Sequence, residues 1–338
     1  MAHDQLADPV PVADWGGPAA GPPASPLDLA VVVVSYHSRD FLRACLRSLP
    51  AATAGLRSRT YVVDNASPDG SAAMVAREFP DAHLTVNRAN VGFARASNIA
   101  LRHAAARHVL LLNPDTEPEP ESLRRLVAFM DAHGPVGACG PKLLNTDGSL
   151  QPNGSRFPTL LADVLYLTGL RHLMPRRYRA LVWARDDFDA LSEADWVSGA
   201  CLLVRTETVR QVGPMDERFF MFYEDVEWCR RIRSAGWTIC YVPEARVLHH
   251  WMGTAKQGDT GAAARLAAKR SRDYRESRLL YFQKTSGPLT VLAVRGVTAL
   301  DWMRRAVFHV SRRARSVLAG RGGSAPDVQR SRHSRPSP

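Results

Sequence analysis

No C-x-x-C pair occurs among the five cysteines, Cys45, Cys139, Cys201, Cys229 and Cys240, whose number is odd and whose spacing is wide. That excludes a zinc ribbon, argues against a disulfide framework, and predicts free thiols in a reducing compartment. No stretch reaches the roughly 18–20 uninterrupted apolar residues of a membrane-spanning helix. The N-terminus lacks the basic start and apolar run of a secretory signal, and its Pro, Gly and Ala content predicts a flexible leader over residues 1–27. A G-x-G-x-x-G dinucleotide fingerprint is also missing, so no nicotinamide cofactor is expected. The net charge is unevenly spread. Residues 256–338 carry 18 Lys and Arg against 5 Asp and Glu, a net of +13, while residues 1–255 carry a net of −2. The basicity therefore describes a partner of the tail and not the body of the fold. The expected location is the cytoplasm.

What is present is ordinary globular material, 338 residues with 45% hydrophobic and 23% charged, enough to bury a large core. The run LAVVVVS (29–35) is β-branched and apolar throughout, as in a parallel strand buried on both faces. Helical spacing follows over Phe41–Leu49 and should stop at Pro50. The pattern then predicts strands at Thr60–Val63, Leu84–Val86 and His108–Leu112, with helices at Ser71–Phe79 and Ala94–Ala106. Such alternation argues for an open, largely parallel α/β sheet, in which ligands sit beyond the carboxyl ends of the strands. Polar clusters fall at four of those ends: Ser35-Tyr36, Asp64-Asn65, Asn87 to Gly92, and Asn113-Pro114-Asp115. Further on, the pattern predicts a helix over Glu121–His133 and strands over Gly137–Leu144, Trp196–Arg205, Thr238–Val242 and Arg246–His249. Thr206 should cap a short helix ended by Gly213, and Asp225 and Glu227 should lead another.

Eight elements, in order, are VVVVSY (31–36), VVDNAS (62–67), NRANVGFARASN (87–98), LLLNPDTE (110–117), WVSGACLLVR (196–205), FFMFYEDVEWCRR (219–231), GW (236–237) and VLHHWMGT (247–254). The set resembles the family 2 glycosyltransferases with the GT-A fold, particularly the bacterial rhamnosyltransferase-like branch, over about residues 28–290. The resemblance implies an α/β fold with a Rossmann-like, mostly parallel central sheet, an acceptor-side subregion and a C-terminal helical extension. It divides the chain into a catalytic domain at 28–258 (nucleotide-binding half 28–117, acceptor half 118–258), a basic amphipathic extension at 259–319 and a disordered tail at 320–338.

The same resemblance implies roles for single residues. Asp64 would contact base and ribose, since a strand-end carboxylate accepts from a base N–H or a ribose hydroxyl; an Asx turn is the plainer alternative for Asp64-Asn65. Ser35, Tyr36 and Asn65 would line that pocket. Gly92 would let backbone approach the ligand, and Asn90 and Asn98 would donate amide hydrogens to it. The glycine common in the family two residues after Asn98 is Ala100 here. LLLNPDTE matches the family's metal motif, with Asp115 as direct ligand of a divalent cation (Mn²⁺ or Mg²⁺) that neutralises the departing diphosphate. Asn113 stands where a carboxylate would serve a cation better, so it enters as a carbonyl ligand or a ribose partner. In FFMFYEDVEWCRR, Asp225 would be the catalytic base and Glu224 would orient it. An acidic first turn complementing a helix dipole is the alternative. Arg231 would fix the base loop or contact phosphate. His249 or its neighbour His250 would join the metal, not both, because alternate strand residues point to opposite faces; His249 is the better match, and Mn²⁺ accepts imidazole where Mg²⁺ prefers oxygen. Gly199-Ala200 would let the chain pass close to the sugar.

The implied activity is inverting transfer of a sugar, L-rhamnose from dTDP-L-rhamnose, to a lipid-linked or cell-wall glycan. A UDP- or GDP-sugar donor and a non-catalytic nucleotide-sugar binder are the alternatives. A nucleotidyltransferase would carry a Gly- and Lys/Arg-rich loop after the first strand, which SYHSRD (35–40) is not. The tail mixes Leu, Val, Phe and Trp with Arg in helical spacing, which suits a helix lying on an anionic membrane surface and a peripheral place on the inner face of the plasma membrane. A helix packed on the catalytic domain is the alternative. No nucleic-acid partner is expected, since no binding module accompanies the basic residues.

Overall fold

The computed structural model describes residues 27–184, 187–250 and 260–300. The expected leader, the Trp251–Thr254 part of VLHHWMGT and the tail beyond residue 300 lie outside the described residues. β1 (Leu27–Ser35) is buried on both faces, as its composition predicts. Its alternation sends Leu29, Val31 and Val33 into one core and Ala30, Val32 and Val34 into the other. α1 (Arg39–Ala52) carries Leu42, Cys45, Leu46 and Leu49 into the first core. The helix runs past Pro50 to Ala52. A proline in a last turn removes only one backbone bond, so it does not end the helix where the spacing suggested.

β2 (Ser58–Asp64), α2 (Ser71–Glu78), β3 (His83–Val86), α3 (Phe93–Leu101) and β4 (Ala106–Leu112) complete the alternating half. The Ala-rich helix is shorter than expected. It stops at Leu101, and Ala106 instead pairs with Leu27 in the sheet. Next come β5 (Thr116–Pro118), α4 (Ser122–Ala132), β6 (Val136–Leu144) and β7 (Leu150–Gln151). A helical hairpin follows, α5 (Leu160–Thr168) and α6 (Pro175–Val182), joined by a 3-10 turn at Leu170–His172. The remaining elements are β8 (Ser192–Glu193), β9 (Cys201–Arg205), α7 (Thr206–Val212), α8 (Glu224–Ser234), β10 (Thr238–His249) and α9 (Thr260–Thr285); residues 288–300 are helical too.

The sheet runs β3-β2-β1-β4-β9-β6-β10-β5. Its first four strands are parallel, β9 lies antiparallel between β4 and β6, and β10 returns parallel to β6. Strand order reverses direction at β1, whose neighbours are β2 and β4. A crevice therefore opens outside their carboxyl ends, which is where ligands bind in such sheets. α1, α2 and α4 cover one face, and α3, α7 and α8 the other.

Two strand expectations are corrected. Only Cys201–Arg205 of the 196–205 run pairs in the sheet, because Ser198–Ala200 turns and spends its polar groups on other partners. The two closing strands are one, β10, whose register slips between Val242 and Arg246, around Pro243; proline cannot donate to the ladder. All five cysteines are free and buried, as their spacing predicted. Of the two readings of the C-terminal extension, α9 takes the packed one. Tyr281 and Phe282 are buried with Phe219, Tyr223 and Val226, and Ser277 Oγ donates to the Met221 carbonyl at 2.8 Å.

Candidate active site

At the carboxyl end of β1 and β2, Ser35 pairs in register with Asp64. Ser35 is buried and its hydroxyl meets Ser38 at 2.9 Å, while Tyr36 projects with 42% of its surface exposed. Asp64 is buried as well. Its Oδ1 accepts from the Ser67 amide at 2.9 Å, three residues on, a local capping contact rather than the two-residue Asx turn. Its Oδ2 has no hydrogen-bond partner among the described residues. A buried carboxylate oxygen without a donor costs free energy, and a ligand N–H or O–H would relieve that cost. Non-glycine residues follow each strand in the left-handed region, His37 at φ 55° and Ala66 at φ 64°. Strain of that kind clusters at ligand-binding turns.

Asn65 and Asn90 form the frame of this pocket. Asn65 Nδ2 donates to Asn90 Oδ1 at 2.9 Å and to the Gly92 carbonyl at 3.3 Å. Its Oδ1 accepts from Asn87 Nδ2 at 3.0 Å and from the Val91 amide at 3.1 Å. A carboxamide has this capacity and no more. Asn90 Oδ1 takes the Gly92 amide too. Gly92 permits a close backbone approach, here to the Phe220 segment. At φ 87° and ψ 168° it occupies a region essentially restricted to glycine. A Cβ there would stand 2.6 Å from the Phe220 carbonyl oxygen, which already accepts from the Phe93 amide at 2.8 Å.

Asn98 is likewise turned inward. Its amide donates to the Met215 carbonyl and to Glu217 Oε1, and its oxygen accepts from the Met215 amide. It holds the 215–217 loop and has no donor left for a phosphate. Arg231 does the same one turn of chain away. Its guanidinium donates to Glu227 and to the carbonyls of Val212, Gly213 and Pro214. The loop it fixes is 212–214, which precedes the segment leading to Asp225.

Beyond β4, the Asn113 backbone is held by the Ala200 carbonyl at 2.9 Å and by Thr116 Oγ1 at 2.7 Å. Among the described residues its carboxamide takes no hydrogen bond. Asp115 is largely buried, and its carbonyl accepts from the His250 amide at 2.9 Å. His249 Nε2 lies 3.4 Å from Asp115 Oδ1, and its Nδ1 lies 2.6 Å from Gln151 Oε1. His250 faces away, with Nε2 at 2.6 Å from Glu117 and its ring against Phe41. His249 is therefore the histidine at the site. Gln151 went unnoticed in the sequence, since β7 comes into contact with His249 only through the fold. Arg270 of α9 was also missed. Its guanidinium is pulled below its usual value by burial and raised again by the Asp115 charge.

Glu224 and then Asp225 open α8, immediately after two aromatic residues in the left-handed region, Phe222 at φ 71° and Tyr223 at φ 65°. Bulky residues rarely stay there, each costing about 1–2 kcal/mol. The buried cluster of Phe219, Tyr223, Val226, Tyr281 and Phe282 holds them in place. Asp225 Oδ2 accepts from the Gly199 amide and Oδ1 from the Val226 amide, both at 2.8 Å. Gly199 thus serves as an amide donor. Ala200, beside it, accepts from the Asn113 amide and so links the segment that holds Asp225 to the Asp115 turn. Burial pushes the Asp225 carboxyl above the usual range, and the Gly199 and Val226 amides partly restrain it. Glu224 is buried, its Oε2 unpartnered. Burial, and then the Asp225 charge, raise its carboxyl well above the ordinary glutamate value. Both carboxyls are therefore raised, and the Asp225 charge adds to the shift of Glu224.

The donor set fits a divalent cation as a partial site. If Nδ1 of His249 donates to the Gln151 oxygen, its Nε2 lone pair faces the Asp115 carboxylate, an arrangement that a cation between them would relieve. Among the described residues no group of three or more His, Cys, Asp or Glu surrounds a common point, so substrate and water oxygens would have to complete the shell.

Residues 25–277 match the family described as glycosyltransferase-like family 2. The chain is 32% identical over 260 residues to the N-acetylglucosaminyl-diphospho-decaprenol L-rhamnosyltransferase of Mycobacterium tuberculosis, covering 73% of this chain and 82% of the relative. It is 23% identical to the dTDP-rhamnosyl transferase RfbF of Shigella flexneri, covering 66% and 69%. Among solved structures, the mannosyltransferase PcManGT from Pyrobaculum calidifontis, in complex with GDP-Man and Mn²⁺, aligns with a TM-score of 0.49 at 18% identity over 90% of this chain and 86% of that one. With its family model spanning both the nucleotide half and the Asp225 helix, this α/β chain belongs to the family 2 glycosyltransferases.

Proposed function

We propose that the protein transfers L-rhamnose from dTDP-L-rhamnose to a lipid-linked or cell-wall glycan with inversion at the anomeric carbon. The observation that carries this reading is Asp225, partly buried, fixed by two backbone amides and adjacent to a buried Glu224. Asp225 removes the proton of an acceptor hydroxyl. The hydroxyl oxygen forms the new bond to the anomeric carbon as the bond to the diphosphate oxygen breaks, and that electron pair leaves with the nucleoside diphosphate. Burial holds the Glu224 carboxyl well above the ordinary glutamate value, which disfavours a second negative charge beside the base.

Asp64 accepts a hydrogen bond from the base or ribose through its unpartnered oxygen, with Ser35 and Tyr36 lining the same pocket. Asn65, Asn90 and Gly92 position this pocket against the Phe220 segment that leads to the base. Asp115 and His249 would hold a divalent cation, Mn²⁺ or Mg²⁺, which supplies positive charge against the departing diphosphate. Asn113, two residues before Asp115, would add a carbonyl ligand or a ribose contact. The identity to two relatives named for rhamnosyl transfer supports the donor, and the decaprenol-linked substrate in the name of one of them supports a polyprenyl-linked acceptor. The net charge of +13 over residues 256–338 supports a peripheral place for the C-terminal basic segment on the inner, anionic face of the plasma membrane.

The test is a donor panel of dTDP-, UDP- and GDP-sugars with a diphospho-lipid-linked saccharide acceptor, read by NMR of the product. Transfer from dTDP-L-rhamnose with an inverted anomeric centre is expected. Turnover of a UDP- or GDP-sugar alone would overturn the donor assignment, and a retained centre would overturn the role of Asp225.

A further inference from the structure

The α5–α6 hairpin presents an unusual exterior. Leu161, Tyr166, Leu170 and Leu173 are all exposed, Leu173 at 78%. Between residues 164 and 184 there is no acidic residue, while Arg171, Arg176, Arg177 and Arg179 all fall within that span. The Arg171 guanidinium lies over the Tyr166 ring at 4.1 Å, a contact suited to the boundary between apolar and aqueous phases.

The helix at 288–300 shows the same chemistry. Val294 is fully buried, and Thr298, one turn on, is tied down by hydrogen bonds. The opposite face carries Leu289 at 82% exposure, Leu292 and Leu300, spaced as on one side of a helix. Residues 285–300 also contain no acidic residue.

Arg278 of α9 joins the two elements. It is buried, its Nε donates to Asp163 Oδ2 of α5 at 2.8 Å, and its Nη1 donates to Thr298 at 3.0 Å. Leu160, at the start of α5, packs on the cluster of Phe219, Tyr223 and Val226 that leads into Asp225. Among the described residues no helix is long and apolar enough to cross a membrane. Exposed leucines beside arginines, on helices too short or too polar to span, have the composition of elements that lie in a lipid interface.

We propose that the α5–α6 hairpin and the 288–300 helix together form a lipid-facing surface that seats the enzyme on an anionic bilayer beside its base loop. The inference rests on the reading of a lipid-linked acceptor, and it adds a contact within the acceptor half to the one assigned to the C-terminal basic segment. A hydrocarbon-anchored acceptor would then meet Asp225 from the membrane side, without leaving the bilayer.

The experiment is co-sedimentation of the full chain with phosphatidylcholine vesicles, with and without phosphatidylglycerol, in the absence of donor and acceptor. Wild type should sediment with the anionic vesicles only. Arg176→Gln with Arg177→Gln should weaken binding about thirtyfold, at roughly 1 kcal/mol for each charge near the surface. Leu170→Ser with Leu173→Ser, and Leu289→Ser with Leu292→Ser, should each weaken it at least about tenfold. These side chains are exposed, so unchanged melting curves should confirm that the variants fold. Equal sedimentation with neutral vesicles, failure of wild type to bind anionic ones, or wild-type binding by the hairpin variants would each overturn the proposal. The last result would leave binding to the C-terminal basic segment, and the second would point to a protein partner. Because no turnover is read, failure here is distinct from failure of the transferase reading, which the donor panel tests.

Discussion

Replacing Asp225 with Asn separates chemistry from architecture. The carboxylate accepts two backbone amides at 2.8 Å, from Gly199 and Val226. Asparagine keeps one acceptor oxygen and turns an NH₂ toward the other amide, so one bond is lost at about 1 kcal/mol. Removing a charge that burial disfavours offsets part of this. In a domain of this size the net effect is a Tm change within roughly 2–4 °C. Loss of a general base costs about 10²–10⁴ in rate, or roughly 2.7–5.4 kcal/mol at 1.36 kcal/mol per decade. The catalytic effect therefore exceeds the structural one severalfold. Steady-state transfer kinetics, calorimetric binding of the nucleoside diphosphate and a melting curve on the same preparation distinguish them. The expected result is a large fall in kcat with nucleotide affinity and Tm nearly unchanged. A kcat within tenfold of wild type, or a parallel loss of nucleotide affinity, would refute the assignment of Asp225 as base.

The acid limb of log kcat against pH should lie above the ordinary aspartate value of 3.8, because burial raises Asp225, and activity should fall as pH drops through it. Stability should move the other way: with both carboxyls raised in the folded state, the pair's contribution is fullest below their unfolded values and is lost as pH rises through the folded ones, which a Tm-versus-pH series checks. Gly92→Ala should cost at least about 2 kcal/mol, a Tm fall on the order of 4–8 °C, because it forces alanine into a glycine-only backbone region 2.6 Å from the Phe220 oxygen. Asp64→Asn should fold normally, since one oxygen still accepts the Ser67 amide, yet calorimetry should show dTDP affinity reduced about tenfold, as for loss of one hydrogen bond to a charged group. Asn113→Asp sets a second carboxylate beside Asp115 and should tighten Mn²⁺ binding, followed directly by metal titration in the presence of dTDP.

The sequence by itself determined the layers of the fold and the ends at which the site would lie. LAVVVVS at 29–35 could only be a strand covered on both sides, and the polar residues after each strand marked the crevice edge, because alternation and composition are local properties. Asp64, Asp115 and Asp225 stood out as candidates for the same reason, each being a carboxylate at an element boundary. Tertiary structure decided which polar side chains face inward. Asn65, Asn98 and Arg231 look like ligand contacts in the chain, yet each meets partners brought to it by the fold, in the case of Asn98 across 117 residues. Gly92 was legible as a close approach but not as one to Phe220, and nothing near His249 in the chain announces Gln151, 98 residues away. The choice between His249 and His250 likewise depended on what lies beyond each face of β10. Periodicity tells a residue which way it points; only packing supplies the atom it meets there.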